Sequence, residues 1–442
     1  MEISGLAEDI IKKVLDRRCD AAEVFMKDSK GISVEAKNGQ VEALEASKDF
    51  GLALKVIKQK RMGFAFTTDK DNIEETISNA VEGTEWTGID EYAGIPEQLS
   101  SDEVLIYDQR VKDIQEEDII KDSLLLEKTT LSYDKRITKV RKAEVGVGEG
   151  HTIIANSNGV RVAYKSSYYT AHVTALAQDE SGQSQMGWDY ASSRKIDDVD
   201  IESVGKRAAQ RATELLGSRK ISALKVPVLL SDAVAVDFLE ILSASLSAEA
   251  VQKKRSFLAD RTGQSVISPL IDICDDGTLP WRTGTSPVDD EGVPTRKKEL
   301  ISRGVLNGYI HNTYTARKDG VSSTGNAVRR GASSLPGVGV TNFFIRPGEL
   351  SHHDLMKSLP RGIVILSAMG VHTANPVSGD FSIGISGLWI ENGSVLYPVK
   401  EAIISGNILD MFKKVEGVGS DLVFYGSTGS PSILIGEMDI SA

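Results

Sequence analysis

The sequence predicts an α+β protein: an N-terminal mixed α/β half with a β-meander and flanking helices, then a C-terminal half that is largely antiparallel β. Three observations carry this. Helical spacing of apolar residues recurs in the first half and thins out beyond about residue 255. Asn-Gly pairs flanked by β-patterned runs recur along the whole chain. The second half lacks the regular strand–helix alternation of a doubly wound sheet. At roughly 150 residues per domain, 442 residues make two or three domains.

Leu6, Ile10, Ile11, Val14 and Leu15 predict a helix over residues 4–18, with Ser4 as its cap. A four-strand meander follows. Its runs are 32–37, 41–47, 51–58 and 62–67, and Asn38-Gly39 suits a two-residue type I′ turn, which needs two positive φ angles. Asp69 opens a second helix carrying Ile73, Ile77 and Val81. Residues 1–100 therefore read as an α-β meander domain ending in the Gly-, Pro- and Ser-containing stretch 93–101.

Residues 101–220 read as a central α/β segment of the same half. A helix carries Ile114, Ile119, Leu124 and Leu125; strands are expected around 140–149 and 160–177, joined through Asn158-Gly159; a helix over 198–216 follows. Residues 221–442 read as a mainly β domain. It opens with the buried strand 226–230 and a long helix from Asp232 to about Arg255, capped by Ser231. Asn307-Gly308 and Asn392-Gly393 predict two further hairpins, and short helices are expected at 354–358 and 407–415.

The 51 Lys and Arg against 63 Asp and Glu leave a formal charge of -12, which disfavours a general phosphate-binding surface. Apolar residues at 40% and charged residues at 26% match globular usage and exclude a disordered or fibrous chain. Cys19 and Cys274 stand alone, so neither a disulfide framework nor a zinc ribbon can form, and a reducing, cytoplasmic location is expected. The N-terminus lacks the apolar run of a signal peptide.

Several local motifs favour structural readings. The six histidines include no His-Glu-x-x-His pair, and adjacent His352-His353 sits where Ser351 would cap a turn. Asp272–Gly277 imitates the start of a calcium loop, but it has Cys274 among its ligands and Thr283 where a glutamate is required. Gly146–Gly150 lies within strand pattern and lacks the helix that would hold a phosphate. The basic runs at 296–298 and 329–330 read as solvated faces or partner contacts. No Gly-x-Ser-x-Gly elbow occurs. The stretch 312–320 with 323–326, rich in Gly, Thr, Asn and Arg, is either turn chemistry or a loop that presents donors to a ligand.

Longer motifs carry a resemblance. Asp289–Thr295, Thr313–Arg317, Ser323–Ala327, Ser378–Ser382, Gly387–Gly393 and Ile404–Asn407 resemble, in order, signatures of the TldD/PmbA family, historically called modulators of DNA gyrase. With the Asn38-Gly39 meander the similarity covers essentially the whole chain. One branch of that family, TldD, is a zinc peptidase with a His-Glu-x-x-x-His motif after a short apolar strand; the other, PmbA or TldE, lacks the motif and pairs with TldD. Here the resemblance places the histidine positions on Ser231 and Val236 and the glutamate position on Asp232. Valine has no lone pair, serine is a poor zinc ligand, and aspartate is shorter than the glutamate that activates metal-bound water. The C-terminal cysteine ligand of the active branch has no counterpart in 416–442.

The resemblance thus implies a non-catalytic subunit without a cofactor, paired with a TldD-type chain or with itself. A peptide substrate would add backbone hydrogen bonds in a shared cavity lined by Thr313, Arg317, Thr324, Gly325, Asn326, Gly379 and Asp380. Two alternatives stand beside it: a self-sufficient hydrolase using other residues, and a non-proteolytic regulator that binds gyrase or another protein.

Overall fold

Strand alternation in Ala21–Lys37 sets the architecture. Val24, Met26, Val34 and Ala36 point to one face and are buried under helices, while Glu23, Phe25, Lys27 and Ser29 point to the other. The computed structural model describes residues 3–441. The strand is central in a six-stranded antiparallel sheet, ordered Arg61–Thr67, Gln40–Lys58, Ala21–Lys37, Ile137–Asn156, Arg161–Gln178 and Ser184–Ser193. Helices Ile3–Asp16 and Ile73–Trp86 cover one part of its outer face, and Glu116–Ser132 and Ile201–Glu214 cover the other. The meander and the central segment therefore share one sheet.

Three details depart from expectation. The meander has three strands, because Gln40–Lys58 runs unbroken through the polar residues Lys48 and Asp49. The first strand begins at Ala21, well before residue 32. Ser4 lies inside the first helix, and its side chain is outside the described residues.

Asn38 and Gly39 both take positive φ, 56° and 72°, as the type I′ turn requires. Gly146–Gly150 is strand; at Gly148 a Cβ would lie 2.4 Å from the Tyr168 ring, which lies across the glycines. At Gly187 a Cβ would sit 2.3 Å from Ala208 O and from Ala212 N, backbone atoms of the covering helix. Gly187→Ala is therefore expected to lift that helix and cost about 1–3 kcal/mol, seen as a lower denaturant midpoint.

The C-terminal half holds a second six-stranded sheet, ordered Ser394–Asn407, Asp380–Glu391, Arg361–Met369, Leu224–Leu230, Ile433–Ser441 and Val415–Val418. Leu224–Leu230 and Arg361–Met369 run parallel, and the other pairs are antiparallel. Ile403–Ser405 also pairs with Asp439–Ser441, which closes five of the strands into a barrel-like ring around Phe238, Phe381 and Ile383. A third sheet runs Val305–Leu306, Lys297–Ser302, Ile273–Asp276, Phe343–Ile345, Thr428–Ser430, Val423–Tyr425.

The predicted long helix is two, Asp232–Ser245 and Ala248–Gln252, interrupted where Ser247 bridges to Ile310. The hairpin expected at Asn307-Gly308 turns instead at Arg303-Gly304, with φ of 44° and 75°. Asn307 bonds back to Glu299 O and Ser302 Oγ, and the expected return strand is the helix Thr313–Asp319. Asn392-Gly393 forms its predicted hairpin. Among the described residues no helix is long and apolar enough to cross a membrane.

Candidate functional site

The inner face of the N-terminal sheet meets the loops of the C-terminal half around a cleft of about 900 Å³. Lys27 and Ser29 reach it by strand alternation, Gly51 and Phe66 from neighbouring strands, and Thr283–Ser286, Asp289, Asp290, Gly325 and Arg329–Ser333 from the facing loops. Arg194 enters just after the edge strand Ser184–Ser193.

Beside this cleft lies a buried ionic cluster. Lys55 Nζ stands 3.4 Å from Glu23 Oε2 and 3.3 Å from Glu291 Oε1, and Arg329 Nη2 stands 3.0 Å from Glu23 Oε1. None of the four side chains is more than 6% exposed. Glu23 and Lys55 are cross-strand partners in the N-terminal sheet, whereas Glu291 and Arg329 belong to the C-terminal half, so two cations and two anions join the halves. Burial opposes the charge on Lys55, but Glu23 and Glu291 outweigh it and hold its pKa above the usual value. Asp289 anchors the loop by accepting from the backbone N–H groups of Glu291, Val293 and Ala327. Burial, reinforced by Glu291, pushes its carboxyl well above the ordinary range; burial also raises Asp290.

The place to which the family resemblance assigns the degenerate motif lies at a second junction of the halves. Ser231 occupies the N-cap position with extended backbone, but its hydroxyl makes no capping bond and is buried without a partner. Asp232 accepts from Ala233 N and, at 3.2 Å, from the Tyr425 hydroxyl. Arg211, from the helix on the N-terminal sheet, donates to the Tyr425 hydroxyl at 2.6 Å, lies 3.7 Å from Asp232 and pairs with Asp189 at 2.9 Å. Trp188 packs edge-on against Tyr425, and the Arg211 guanidinium sits over both rings. Val236 is buried, 4% exposed, in apolar packing.

This arrangement tests the zinc that the active branch would hold. The segment 416–442 does return to the motif helix, but it brings a tyrosine, with an arginine beside it. A guanidinium is a cation without a lone pair and does not share a ligand set with a divalent metal. The residues here do not fit zinc, and among the described residues no three His, Cys, Asp or Glu side chains converge as a metal site.

Next to Val236, Asp237 is pushed up to about 6 by burial, with help from Glu240. A carboxyl whose folded pKa is raised has no differential penalty below the unfolded value near 4; the penalty grows as pH rises and is complete above about 6. Asp237→Asn is therefore expected to leave stability unchanged at pH 4 and to add roughly 1–3 kcal/mol at pH 7, read from denaturant midpoints across that range.

The residues proposed to line a peptide cavity divide. Gly325 lines the cleft, with φ of 73°. Thr313 is buried, its N–H donating to Glu291, and Arg317 reaches Ala93 O and Ile95 O in the segment between the first helices. Thr324 bonds His311 and Asn326, and the fully buried Asn326 donates to Asp275 and Gly339 O. Gly379 and Asp380 form a turn tied to Asn407, away from the residues that line the cleft. Their polar atoms are mostly satisfied within the chain. Each basic run turns one residue inward, Lys298 to buried Asp275 and Arg329 to Glu23, while Arg296, Lys297 and Arg330 stay exposed. Sequence reading missed Arg194, Lys27, Asp290 and Thr283–Ser286, and only the alternation of Glu23, Phe25, Lys27 and Ser29 signalled a polar inner face.

A Ser–His–Asp contact exists but is not catalytic in form. His352 Nδ1 lies 2.8 Å from Ser432 Oγ, which donates to Asp421 at 2.7 Å. Ser432 is 1% exposed and its carboxylate partner bonds the serine, not the histidine, so the hydroxyl has neither access nor an oriented base.

Fold and site together define a class: a two-part α+β protein whose inner sheet face and C-terminal loops enclose a polar cleft, with an ion-pair and aromatic junction around Ser231, Asp232 and Val236. Residues 22–83, 109–216 and 223–442 match, in order, domain 1, the central domain and the C-terminal domain of the PmbA/TldA metallopeptidases. The chain is 30% identical over 433 residues to Metalloprotease PmbA of Escherichia coli, covering 96% of this chain and 93% of that one. The chain belongs to the PmbA/TldD family, as a PmbA-type member. A solved structure from Thermotoga maritima, titled as a modulator of a DNA gyrase, superposes with a TM-score of 0.91 at 29% identity, over 98% of this chain and 99% of that one. TldE from Thermococcus kodakarensis shares the fold, with a TM-score of 0.89 at 22% identity over 98% and 99% of the two chains.

Proposed function

We propose that this chain is the non-catalytic partner subunit of a TldD-type zinc peptidase and that its cleft receives an extended peptide. The observation that carries the reading is the junction at the motif position, where Arg211 and Tyr425 engage Asp232 between a serine and a valine that offer no zinc ligand. The cleft suits a peptide because its walls alternate strand-borne side chains with loops rich in hydroxyls and backbone donors. Partnering follows from the pairing of branches that the family resemblance implies; a homodimer is the other assembly consistent with it.

A self-sufficient hydrolase has no supporting constellation in the inaccessible Ser432. Direct action on DNA is disfavoured by the charge of -12. The test is hydrolysis of an unfolded fluorogenic peptide by the purified chain, by a TldD-type protein from the same cell, and by the mixture. Turnover that requires the TldD-type protein and rises when this chain is added supports the reading. Turnover by this chain alone, insensitive to chelators, overturns it.

A further inference from the structure

Arg194 is a largely buried guanidinium without a carboxylate partner. Its Nη2 donates to Thr283 O at 2.7 Å and its Nη1 to Ser167 O at 3.2 Å, both neutral backbone acceptors, and its Nε–H has no partner. Burial lowers its pKa, and the one group that acts in the opposite direction is the Tyr164 phenol. The more deeply buried cations Lys55, Lys298 and Arg329 each sit against a carboxylate, and Arg282, whose pKa burial also lowers, lies over the Phe424 ring. A desolvated arginine supported only by carbonyls is costly unless something else completes it.

A further orphan lies beside it: Thr283 Oγ1, on the residue whose carbonyl Arg194 holds, is also buried without a partner. Arg194 and Thr283 both line the 900 Å³ cleft. A planar guanidinium beside a free hydroxyl matches a carboxylate, which accepts on both oxygens.

We propose that Arg194, with Thr283, forms a carboxylate-binding subsite of the cleft that reads a peptide's carboxylate, either its free C-terminus or an acidic side chain. The subsite rests on the peptide reading above and adds a specificity to it. Its effect is to fix one end or one side chain of an extended peptide and so set its register in the cleft.

The test measures binding of a dye-labelled unstructured peptide of Ala, Ser and Leu in three forms: free acid, C-terminal amide, and amide with one internal Glu. The full chain is used alone and mixed with a TldD-type protein. The acid, the Glu-bearing amide or both are expected to bind at least about tenfold more tightly than the neutral amide, the worth of one charge-assisted hydrogen bond. Whichever form prefers the site identifies the source of the carboxylate. Arg194→Gln is expected to abolish that preference, so that all three forms bind alike, and Arg194→Lys to keep part of it. Equal binding of all three forms overturns the subsite and leaves the peptide reading standing. Absence of binding by any form, alone or in the mixture, overturns both. If Arg194→Gln does not fold, the contrast between acid and amide on the unaltered chain decides.

Discussion

Lys55→Met is expected to destabilise the chain by about 3–5 kcal/mol, because it strips a buried cation from two buried carboxylates. The methionine fills the volume but leaves Glu23 and Glu291, 0% and 2% exposed, facing each other with Arg329 as the remaining cation. Burial already pushes the Glu23 carboxyl up, against the pull of Lys55 and Arg329; without Lys55 it rises further. A carboxyl with a raised folded pKa is penalised only above its unfolded value, so the deficit of the variant is expected to shrink as pH falls toward 4 and to be full at neutral pH. Calorimetric melting at pH 4 and pH 7 measures this. Adding Glu291→Gln to the variant is expected to recover part of the loss, because it removes the carboxylate left without a cation while Arg329 still holds Glu23. A loss below about 1 kcal/mol at pH 7 would mean that water reaches the cluster.

Arg211→Ala comes next, at about 2–4 kcal/mol. Asp189 is 1% exposed and is held by Arg211 at 2.9 Å and by Arg207 at 2.7 Å, so one cation remains after the substitution and the cost falls below that of a fully orphaned carboxylate. The same change removes the donor to Tyr425 and the stacking over Trp188, contacts that tie the N-terminal sheet to the motif helix. Limited proteolysis is expected to open the junction before the cores melt. Arg211→Lys should recover little, since lysine keeps the charge but not the fork or the stacking. A double-mutant cycle with Asp189→Asn should give a coupling of about 1–3 kcal/mol. Additive losses would place the two residues in separate interactions.

How much of this was legible in the sequence depends on range. Asn38-Gly39 and Asn392-Gly393 announce their hairpins because both residues tolerate positive φ, a local property. Arg303-Gly304 makes the same turn with an arginine in the first place, and the better-looking Asn307-Gly308 four residues on drew the prediction away. Pairing of Ala21–Lys37 with Ile137–Asn156 joins segments about a hundred residues apart, and no periodicity encodes that distance. The family resemblance placed the zinc motif on Ser231, Asp232 and Val236, residues that make a poor ligand set. What surrounds that place was not legible, because Arg211 and Tyr425 arrive from other elements. The donor-rich loop residues Thr324 and Asn326 looked like ligand groups, but in the fold their side chains bond within the chain, whereas the Thr313 hydroxyl is buried without a partner and only its N–H is held, by Glu291.

The most direct test of the central claim is zinc content by elemental analysis after dialysis against zinc and then buffer, for this chain alone and for its purified complex with a TldD-type protein. The account predicts no retained zinc on the single chain and one ion per complex, held by the partner. Stoichiometric zinc on the single chain would contradict it, since Ser231, Asp232, Val236, Arg211 and Tyr425 would then have to yield to a ligand set that lies elsewhere.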